Sequence, residues 1–452
     1  MSVLAVAFEY HHVARFRAAG IPINSLIYIH RLPRDLDPSV RLISHDLAHM
    51  AVPHAFAADL DPTITKQVRE ASFTTYRRTH FRQFFKRAKN SDSWLDVDNL
   101  FENAIQFYWN LLKDQKIETV IFRNVPHGGT TIVLYHLCQA LGIRTIVLMQ
   151  SLFSNRFWAS EAIESIGVSG PKTTPSGAIS LNLNPSPPFY MKGAARMTLS
   201  RFLMAYSSRA LNTGFKALTL SFLWNRKSFD KSWIKFERLR QEYRLHSQLA
   251  DMFDVYVPDR KFVYFPLHLQ PEMTTDVLGG VYCDQLLAIE ELVRQLPDDV
   301  WVYVKENPKQ TSYMREDSFF TRLKAIPRVA YLPLDTPSFE LIERSVGVAT
   351  ITGTAGWEAL QMAKPVIVFG AAWFRGLPGV KEWQDDPAAC VAQLDNFKFD
   401  ANALTAAVAE RECLLWPGVL DPLYGVLIEG FDAKANEDQV ATSIAAIYQS
   451  AS

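Results

Sequence analysis

The chain has 452 residues, which is too long for one compact hydrophobic core and predicts two domains. Hydrophobic residues make up 48% and charged residues 21%, a globular composition that excludes a largely disordered chain. Lys+Arg and Asp+Glu both number 47, so the formal net charge is zero and the basic balance typical of a nucleic-acid-binding protein is absent.

The cysteines and the N-terminus indicate the compartment. Cys138, Cys283, Cys390 and Cys413 form no Cys-x-x-Cys pair, so we expect buried thiols rather than a zinc site or a disulfide framework. The segment Met1–Tyr10 has no basic region ahead of its apolar stretch, so it does not read as a secretory signal. We therefore expect a cytoplasmic protein.

Residues 1–170 predict an N-terminal α/β domain. Its clearest unit is a buried strand at Thr119–Phe122, a turn at Pro126–Gly129, a helix over Thr130–Leu141 and a second strand at Arg144–Met149. A strand, helix and strand in this order form a βαβ unit, which indicates a parallel sheet.

Residues 171–253 predict a connection between domains. The part up to residue 192 is rich in Pro, Ser, Thr and Gly and reads as a linker, while 194–250 has a helical pattern with many Lys and Arg residues. Two interpretations stay open for this basic stretch: peripheral contact at the inner face of the membrane through anionic lipid, or a solvated helix packed on its own domain.

Residues 254–432 predict a second doubly wound α/β domain, and 433–452 a closing helix. Strand patterns alternate with helical patterns through this part of the chain. The predicted strands are Phe262–Pro266, Val300–Val304, Val329–Leu332, Gly347–Ile351 and Pro365–Phe369.

Polar segments follow three strands of this second domain, where parallel sheets bind ligands. The segment Thr352–Glu358 has two glycines and two threonines at a turn into a helix, and such turns bind phosphate through backbone N–H groups. Glu358 is placed to accept hydrogen bonds from ribose hydroxyls. We predict that a set of residues at these strand ends binds a nucleotide, and we call it the donor-binding set below. Its members are Gln270, Glu272, Lys305, Asn307, Pro308, Thr352, Gly353, Thr354, Gly356 and Glu358.

The second domain resembles the capsule polysaccharide biosynthesis family, which includes Kdo transferases. The resemblance rests on Val263–Glu272 (VYFPLHLQPE), Val302–Gln310 (VYVKENPKQ), Ile351–Leu360 (ITGTAGWEAL) and Lys364–Gly370 (KPVIVFG), and it is confined mainly to residues 255–385. It implies a GT-B fold, in which two doubly wound Rossmann-type domains face a central cleft.

The resemblance also implies an activity. It implies a metal-independent glycosyltransferase that uses a nucleotide sugar, such as CMP-Kdo, as its donor, with no further cofactor. The family has a His-Pro pair where this chain has Asn307-Pro308. Asparagine can hold a phosphate by a hydrogen bond but cannot transfer a proton, so only a binding role is expected at this position.

The catalytic candidates lie in the N-terminal half. His127, in the turn after a predicted strand, and Glu9, beside His11 and His12, are the candidates for the acceptor side. No metal site is expected, and Asp96 and Asp98 are interpreted as part of a surface turn.

Three functions remain open from the sequence. The first is a glycosyltransferase that acts on a capsule, other surface-polysaccharide or lipid-linked glycan acceptor. The second is a nucleotide-sugar epimerase of GT-B fold, and the third is a non-catalytic partner in capsule assembly or export. Fold-level analogy does not separate them.

Overall fold

The structure is a computed structural model that describes most of the chain. The described residues are 2–30, 32–45, 56–86, 94–175, 177–182, 203–204, 207, 211, 252–310, 315 and 317–450. Almost all of the basic stretch 194–250 lies outside them, so the interpretations of that stretch stay predictions.

The first unit is built on a seven-stranded sheet. Its strands, in chain order, are β1 (Val3–Phe8), β2 (Ile23–Tyr28), β3 (Arg41–Ser44), β4 (Thr119–Phe122), β5 (Arg144–Gln150), β6 (Arg156–Ser160) and β13 (Leu415–Pro417). They lie in the order β13-β6-β5-β4-β1-β2-β3. The strands β1 to β5 are parallel, whereas β6 and β13 are antiparallel to their neighbours.

Helices cover this sheet on both faces. They are α1 (His11–Ala18), α2 (Pro62–Lys86), α3 (Trp94–Asp114) and α4 (Thr131–Leu141). The predicted unit of strand, turn, helix and strand over 119–149 is confirmed. The expected surface turn at Asp96 and Asp98 is wrong, because both residues lie in α3.

The second unit is built on a six-stranded parallel sheet. Its strands are β7 (Phe262–Pro266), β8 (Trp301–Lys305), β9 (Val329–Leu332), β10 (Gly347–Thr350), β11 (Val366–Val368) and β12 (Val380–Glu382). They lie in the order β12-β11-β10-β7-β8-β9. The first four residues of β7 are buried, as expected of a strand covered on both faces.

Helices lie between the strands of the second sheet, and further helices follow its last strand along the chain. They are α5 (Met273–Asp276), α6 (Gln285–Gln295), α7 (Asp317–Ala325), α8 (Ser338–Arg344), α9 (Thr354–Gln361), α10 (Pro387–Asn396), α11 (Ala401–Glu412), α12 (Pro422–Gly425) and α13 (Ala433–Ser450). The predicted fold class is confirmed: the protein is α/β and GT-B-like, with two doubly wound Rossmann-type units. No helix in the described ranges is both long enough and apolar enough to cross a membrane.

The last part of the chain returns to the first unit. Strand β13 pairs with β6, and α13 packs against α1, where Arg15 forms ion pairs with Glu437 at 2.8 Å and Asp438 at 3.0 Å. The predicted range 254–432 for the second domain therefore needs correction, since a three-residue strand such as β13 carries too weak a pattern to reveal its partner.

Aromatic side chains join the two units. Trp373, in the loop after β11, stacks on Trp158 of β6 with 5.6 Å between ring centroids and meets Phe153 edge-on at 5.3 Å. Trp357 of α9 lies 5.0 Å from the same ring. The loops that follow the strands of the second unit are thus packed directly on the first sheet.

Gly356 lets α9 approach the sheet, which differs from its predicted role in phosphate binding. A Cβ atom at this buried position would lie 2.7 Å from Cζ of Phe374 and 3.1 Å from Cγ1 of Val366. Gly356 therefore faces the core, and its assignment to the donor-binding set stays a prediction.

We predict that Gly356→Val lowers the melting temperature, because the added atoms overlap Phe374 and Val366. Overpacking of this kind costs about 1–3 kcal/mol. Ala355→Val, at the half-buried neighbouring position of the same helix, is the matched control and should lose much less. Equal melting temperatures for the two variants would contradict the packing role of Gly356.

Candidate functional site

The carboxyl ends of three adjacent strands meet at one edge of the second sheet. Strands β10, β7 and β8 are neighbours, so the segments that follow Thr350, Pro266 and Lys305 lie side by side. The convergence predicted from the sequence is therefore present in the structure. What each side chain does there differs from residue to residue.

His268 shapes the turn that precedes α9. Its Nε2 atom accepts from the backbone N–H of Ile351 at 3.3 Å and lies 2.8 Å from Oγ1 of Thr350, which accepts from the N–H of Gly353 at 3.1 Å. Burial, with a contribution from Arg315, lowers the pKa of His268 to about 4, so the imidazole is neutral. His268 is a positioning residue that the sequence prediction did not single out, although a histidine directly after a strand was its visible signal.

Lys305, the last residue of β8, is buried beside α8. Its Nζ atom donates to the carbonyl oxygen of Thr336 and to Oγ of Ser338, both at 2.7 Å. Burial lowers the pKa of Lys305 to about 8, although the Asp335 and Glu358 carboxylates oppose the shift. The structure thus holds a cation with a readily lost proton at the predicted place.

Glu358, in the second turn of α9, is a half-buried carboxylate next to this cation. Burial raises its pKa to about 7, with Lys305 acting in the opposite direction. Within the described part of the chain, no hydrogen bond or ion pair engages the Glu358 carboxylate. A half-buried carboxylate in this state lacks protein hydrogen-bond donors that would compensate its partial desolvation.

Gln270 and Glu272 make hydrogen bonds within the protein, and their assignment to the donor-binding set stays a prediction. The Gln270 amide donates to Asp276 at 3.1 Å and to the carbonyl of Cys283 at 2.7 Å, and its oxygen accepts from Gln285 at 2.8 Å. Glu272 caps α5 by accepting from the N–H of Thr274 at 2.8 Å. A sequence motif does not reveal that neighbouring polar groups already use these side chains.

The remaining predicted donor residues lie along the same edge. Asn307 accepts from the N–H of Lys309 at 3.0 Å, Pro308 is exposed, and Oγ1 of Thr352 donates to the carbonyl of Thr274 at 3.2 Å. Gly353 precedes α9 and Thr354 begins it, half-buried. These five residues stay candidates for contact with a ligand.

A buried ion pair holds the loop after β8. Nε of Arg315 lies 2.5 Å from the Glu306 carboxylate, and its Nη2 donates to the carbonyl of His268 at 3.0 Å. The pair was not predicted, because a charged residue in a polar loop gives no sequence sign of burial.

His127 lines a cavity of about 290 Å³ at the carboxyl ends of the first sheet. Its Nδ1 atom lies 2.7 Å from the carbonyl oxygen of Val125. A carbonyl only accepts, so in the neutral ring Nδ1 carries the proton and Nε2 has the lone pair that a general base needs. Other polar residues line the same cavity: His30, His45, Arg123, Asn124 and Asp421.

Glu9 is not among the residues that line this cavity, and its assignment as catalytic stays a prediction. Its carboxylate lies 3.6 Å from Nδ1 of His11, whose Nε2 lies 3.0 Å from Glu437. His11, His12 and Glu437 bring potential metal-ligand atoms within 4.8 Å of one another, but Arg15 already pairs with Glu437 at 2.8 Å. We assign this group to the contact between α1 and α13.

Part of the sequence matches a known family. Residues 232–406 match the family described as Capsule polysaccharide biosynthesis protein. The resemblance predicted from the strand-end motifs is confirmed over this segment, which is less than half of the chain. A search of curated proteins found no match.

Solved structures show a distant likeness. The KpsC beta Kdo 2,4 transferase of Thermosulfurimonas dismutans is 11% identical, with a TM-score of 0.31 over 69% of this chain and 88% of that chain. The UDP-GlcNAc 2-epimerase of Methanocaldococcus jannaschii is 8% identical, with a TM-score of 0.26 over 91% and 99%. The glycosyltransferase SnogD from Streptomyces nogalater is 9% identical, with a TM-score of 0.24 over 91% and 94%. Likeness at this level carries no argument about function.

We predict that Glu358→Gln stabilises the ligand-free protein at alkaline pH. The pKa of Glu358 is raised from 4.5 to about 7 in the folded state, so the folded state binds a proton that the unfolded state has released between these values. The cost of ionising Glu358 therefore grows as pH rises and is complete above about pH 7. The gain in the variant at about pH 8 should be on the order of 1–3 kcal/mol and should vanish near pH 4.

Chemical denaturation at several pH values measures this effect. Glu340→Gln, on the neighbouring helix α8, removes a carboxylate that is already paired with Arg344 at 3.3 Å and serves as the control. A Glu358→Gln variant that is less stable than the parent at about pH 8 would show that the carboxylate has a partner in the folded protein.

Proposed function

We propose that the protein is a glycosyltransferase that transfers a sugar from a nucleotide donor to a capsule or other surface-polysaccharide acceptor. The capsule family match over residues 232–406 and the GT-B-like fold support a sugar transferase. The donor is held at the strand-end edge of the second sheet, and a CMP-linked sugar such as CMP-Kdo is the donor that the family resemblance favours. The acceptor enters the cavity beside His127.

The observation that carries this proposal is the state of Glu358 and Lys305. A half-buried carboxylate and a buried ammonium group lie at one sheet edge, and desolvation shifts both pKa values toward the neutral forms. Such perturbed groups in a strand-end site are typical of ligand-binding positions. A nucleotide supplies what they lack, because ribose hydroxyls donate to a carboxylate and phosphate oxygens accept from an ammonium group.

The turn before α9 supports phosphate binding. Gly353 and Thr354 stand at the N-terminus of an eight-residue helix, where the helix dipole favours an anion. His268 and Thr350 hold this turn in place. The turn therefore presents its backbone without rearrangement when the donor arrives.

His127 supplies the base on the acceptor side. The acceptor hydroxyl attacks the anomeric carbon, and the bond from that carbon to the phosphate oxygen breaks. The proton of the hydroxyl passes to Nε2 of His127, and the nucleotide leaves with the bonding electron pair. No metal ion is needed in this scheme, because Lys305 and the α9 N-terminus face the departing phosphate.

We predict that nucleotide affinity is highest between about pH 7 and pH 8. Glu358 is ionised above its pKa of about 7, and Lys305 is protonated below its pKa of about 8. Affinity for CMP, measured by calorimetry, should fall on both sides of this window. UDP and GDP, titrated in parallel, identify the nucleotide.

The Glu358→Gln variant tests whether Glu358 causes the fall in nucleotide affinity on the acid side of the pH window. Loss of a charged hydrogen-bond acceptor should weaken binding about tenfold or more at pH 7.5 and should remove the fall in affinity on the acid side. Glu340→Gln should bind as the parent does. Unchanged affinity in Glu358→Gln would place the nucleotide elsewhere.

We predict that His127→Gln lowers transfer by about 10²-fold or more while nucleotide affinity stays nearly constant, because glutamine keeps the hydrogen bonding of the ring but not its titration. Product analysis with a labelled donor measures transfer and also separates the alternatives. An epimerase converts the sugar nucleotide without an acceptor, and a non-catalytic partner forms no product.

His11→Gln is the control, since His11 is an exposed histidine outside the cavity. It should transfer at the parental rate. Turnover of His127→Gln within a factor of about three of the parent would exclude His127 as the general base.

A further inference from the structure

Arg123 is a half-buried cation on the wall of the cavity in the first unit. It directly follows β4, and its Nε and Nη2 atoms donate to the carbonyl oxygen of Leu420 at 3.2 and 2.5 Å. Burial lowers the pKa of Arg123, even though the Glu9, Asp421 and Glu437 carboxylates act in the opposite direction. Besides the Leu420 carbonyl, the guanidinium contacts the Phe8 ring, whose centroid lies 5.9 Å from Cζ.

Each of these three carboxylates is engaged with another group. Glu437 pairs with Arg15 at 2.8 Å, Glu9 lies 3.6 Å from His11, and Asp421 caps α12 by accepting from the N–H of Leu423 at 2.9 Å. Across the ranges that the structure describes, no carboxylate forms an ion pair with Arg123. A half-buried guanidinium that forms no ion pair within the described residues can pair with the negative charge of a ligand.

The cavity beside Arg123 has the volume and the donors for such a ligand. About 290 Å³ is enough for a sugar ring, and the side chains of His30, Asn124 and His127 contribute further polar atoms. Gly128 and Thr131 bring the N-terminal end of α4 to the same cavity, which adds a favourable field for a negative charge.

We propose that this cavity binds an anionic group, a carboxylate or a phosphate, which pairs with the Arg123 guanidinium. The description of this group as part of the acceptor rests on the proposed function. The acceptor is then an acidic glycan or a phosphate-linked glycan, held so that a neighbouring hydroxyl lies near Nε2 of His127. Arg123 is thus a specificity-determining residue that excludes neutral acceptors.

The test uses simple anions on the full-length protein. Glucuronate and inorganic phosphate represent the two sources of negative charge, and glucose is the neutral analogue of the first. Titrations are followed by calorimetry or ligand-observed NMR with CMP present at saturation, so that the strand-end edge of the second sheet is not available to phosphate. We expect at least one anion to bind the parent protein at least about tenfold more tightly than glucose binds.

Variants at Arg123 locate the binding. Arg123→Gln should weaken the anion about tenfold or more, whereas Arg123→Lys, which keeps the charge, should retain most of the affinity. Arg144→Gln is the matched control, because Arg144 also donates to backbone carbonyls, those of Tyr448 at 2.7 Å and Ile447 at 3.1 Å, but lies outside the cavity. It should bind the anion as the parent does.

Two results would overturn the proposal. One is that neither anion binds the folded parent protein, and the other is that Arg123→Gln binds the anion as tightly as the parent. Loss of binding in Arg123→Lys equal to that in Arg123→Gln would also count against it, since it would point to lost structure rather than lost charge. The affinity of the same variants for CMP separates this proposal from the proposed function. Arg123→Gln should bind CMP as the parent does. If CMP failed to bind the parent protein, that result would refute the donor site and not the anion site at Arg123.

Discussion

The buried ion pair between Glu306 and Arg315 holds the ligand-facing edge of the second sheet together. Arg315 reaches the loop after β8 through Glu306 and the loop after β7 through the carbonyl of His268. Breaking such a pair by removing one partner typically costs about 3–5 kcal/mol, because the other charge stays buried. The positions of His268, of the turn before α9 and of Lys305 all depend on these two loops.

The alternation of a β-strand explains why a second charge lies so close to this pair. Consecutive side chains point to opposite faces, so Lys305 is directed toward Ser338 and Glu358 while Glu306 is directed toward Arg315. On one face of the strand end, Glu306 and Arg315 form an ion pair. On the other face, Lys305 donates hydrogen bonds to uncharged oxygen atoms of Thr336 and Ser338, with the Glu358 carboxylate nearby.

The fold was largely predictable because it is expressed in local patterns. Strands such as Phe262–Pro266 and Val329–Leu332 are continuous apolar runs, and parallel topology follows from their alternation with helices. Lys305 and Glu358 were predicted for the same reason, since residues after such strands gather at one edge of the sheet. The short strands β12 and β13 were not predicted, because three residues have no period to detect.

Three residues of the predicted donor-binding set already have contacts within the protein that the sequence does not reveal. Gln270, Glu272 and Gly356 have the residue types of a binding site, but hydrogen bonds within the protein or packing against Phe374 already use them. Arg123 differs from these three residues, because its notable feature is a contact that is lacking: no carboxylate among the described residues forms an ion pair with it. Neither situation can be read from residue type and spacing, because both depend on residues distant in the chain.

The pairing of β13 with β6 has a consequence for the order in which the protein is made. In chain order, β6 of the first sheet ends at Ser160, the second sheet begins with β7 at Phe262, and only afterwards does Leu415–Pro417 pair with the edge of the first sheet. During synthesis on the ribosome, the edge of β6 is therefore exposed until the second unit has been translated. A nascent chain in that state presents an unpaired strand edge, which is a surface that chaperones and other nascent chains can bind.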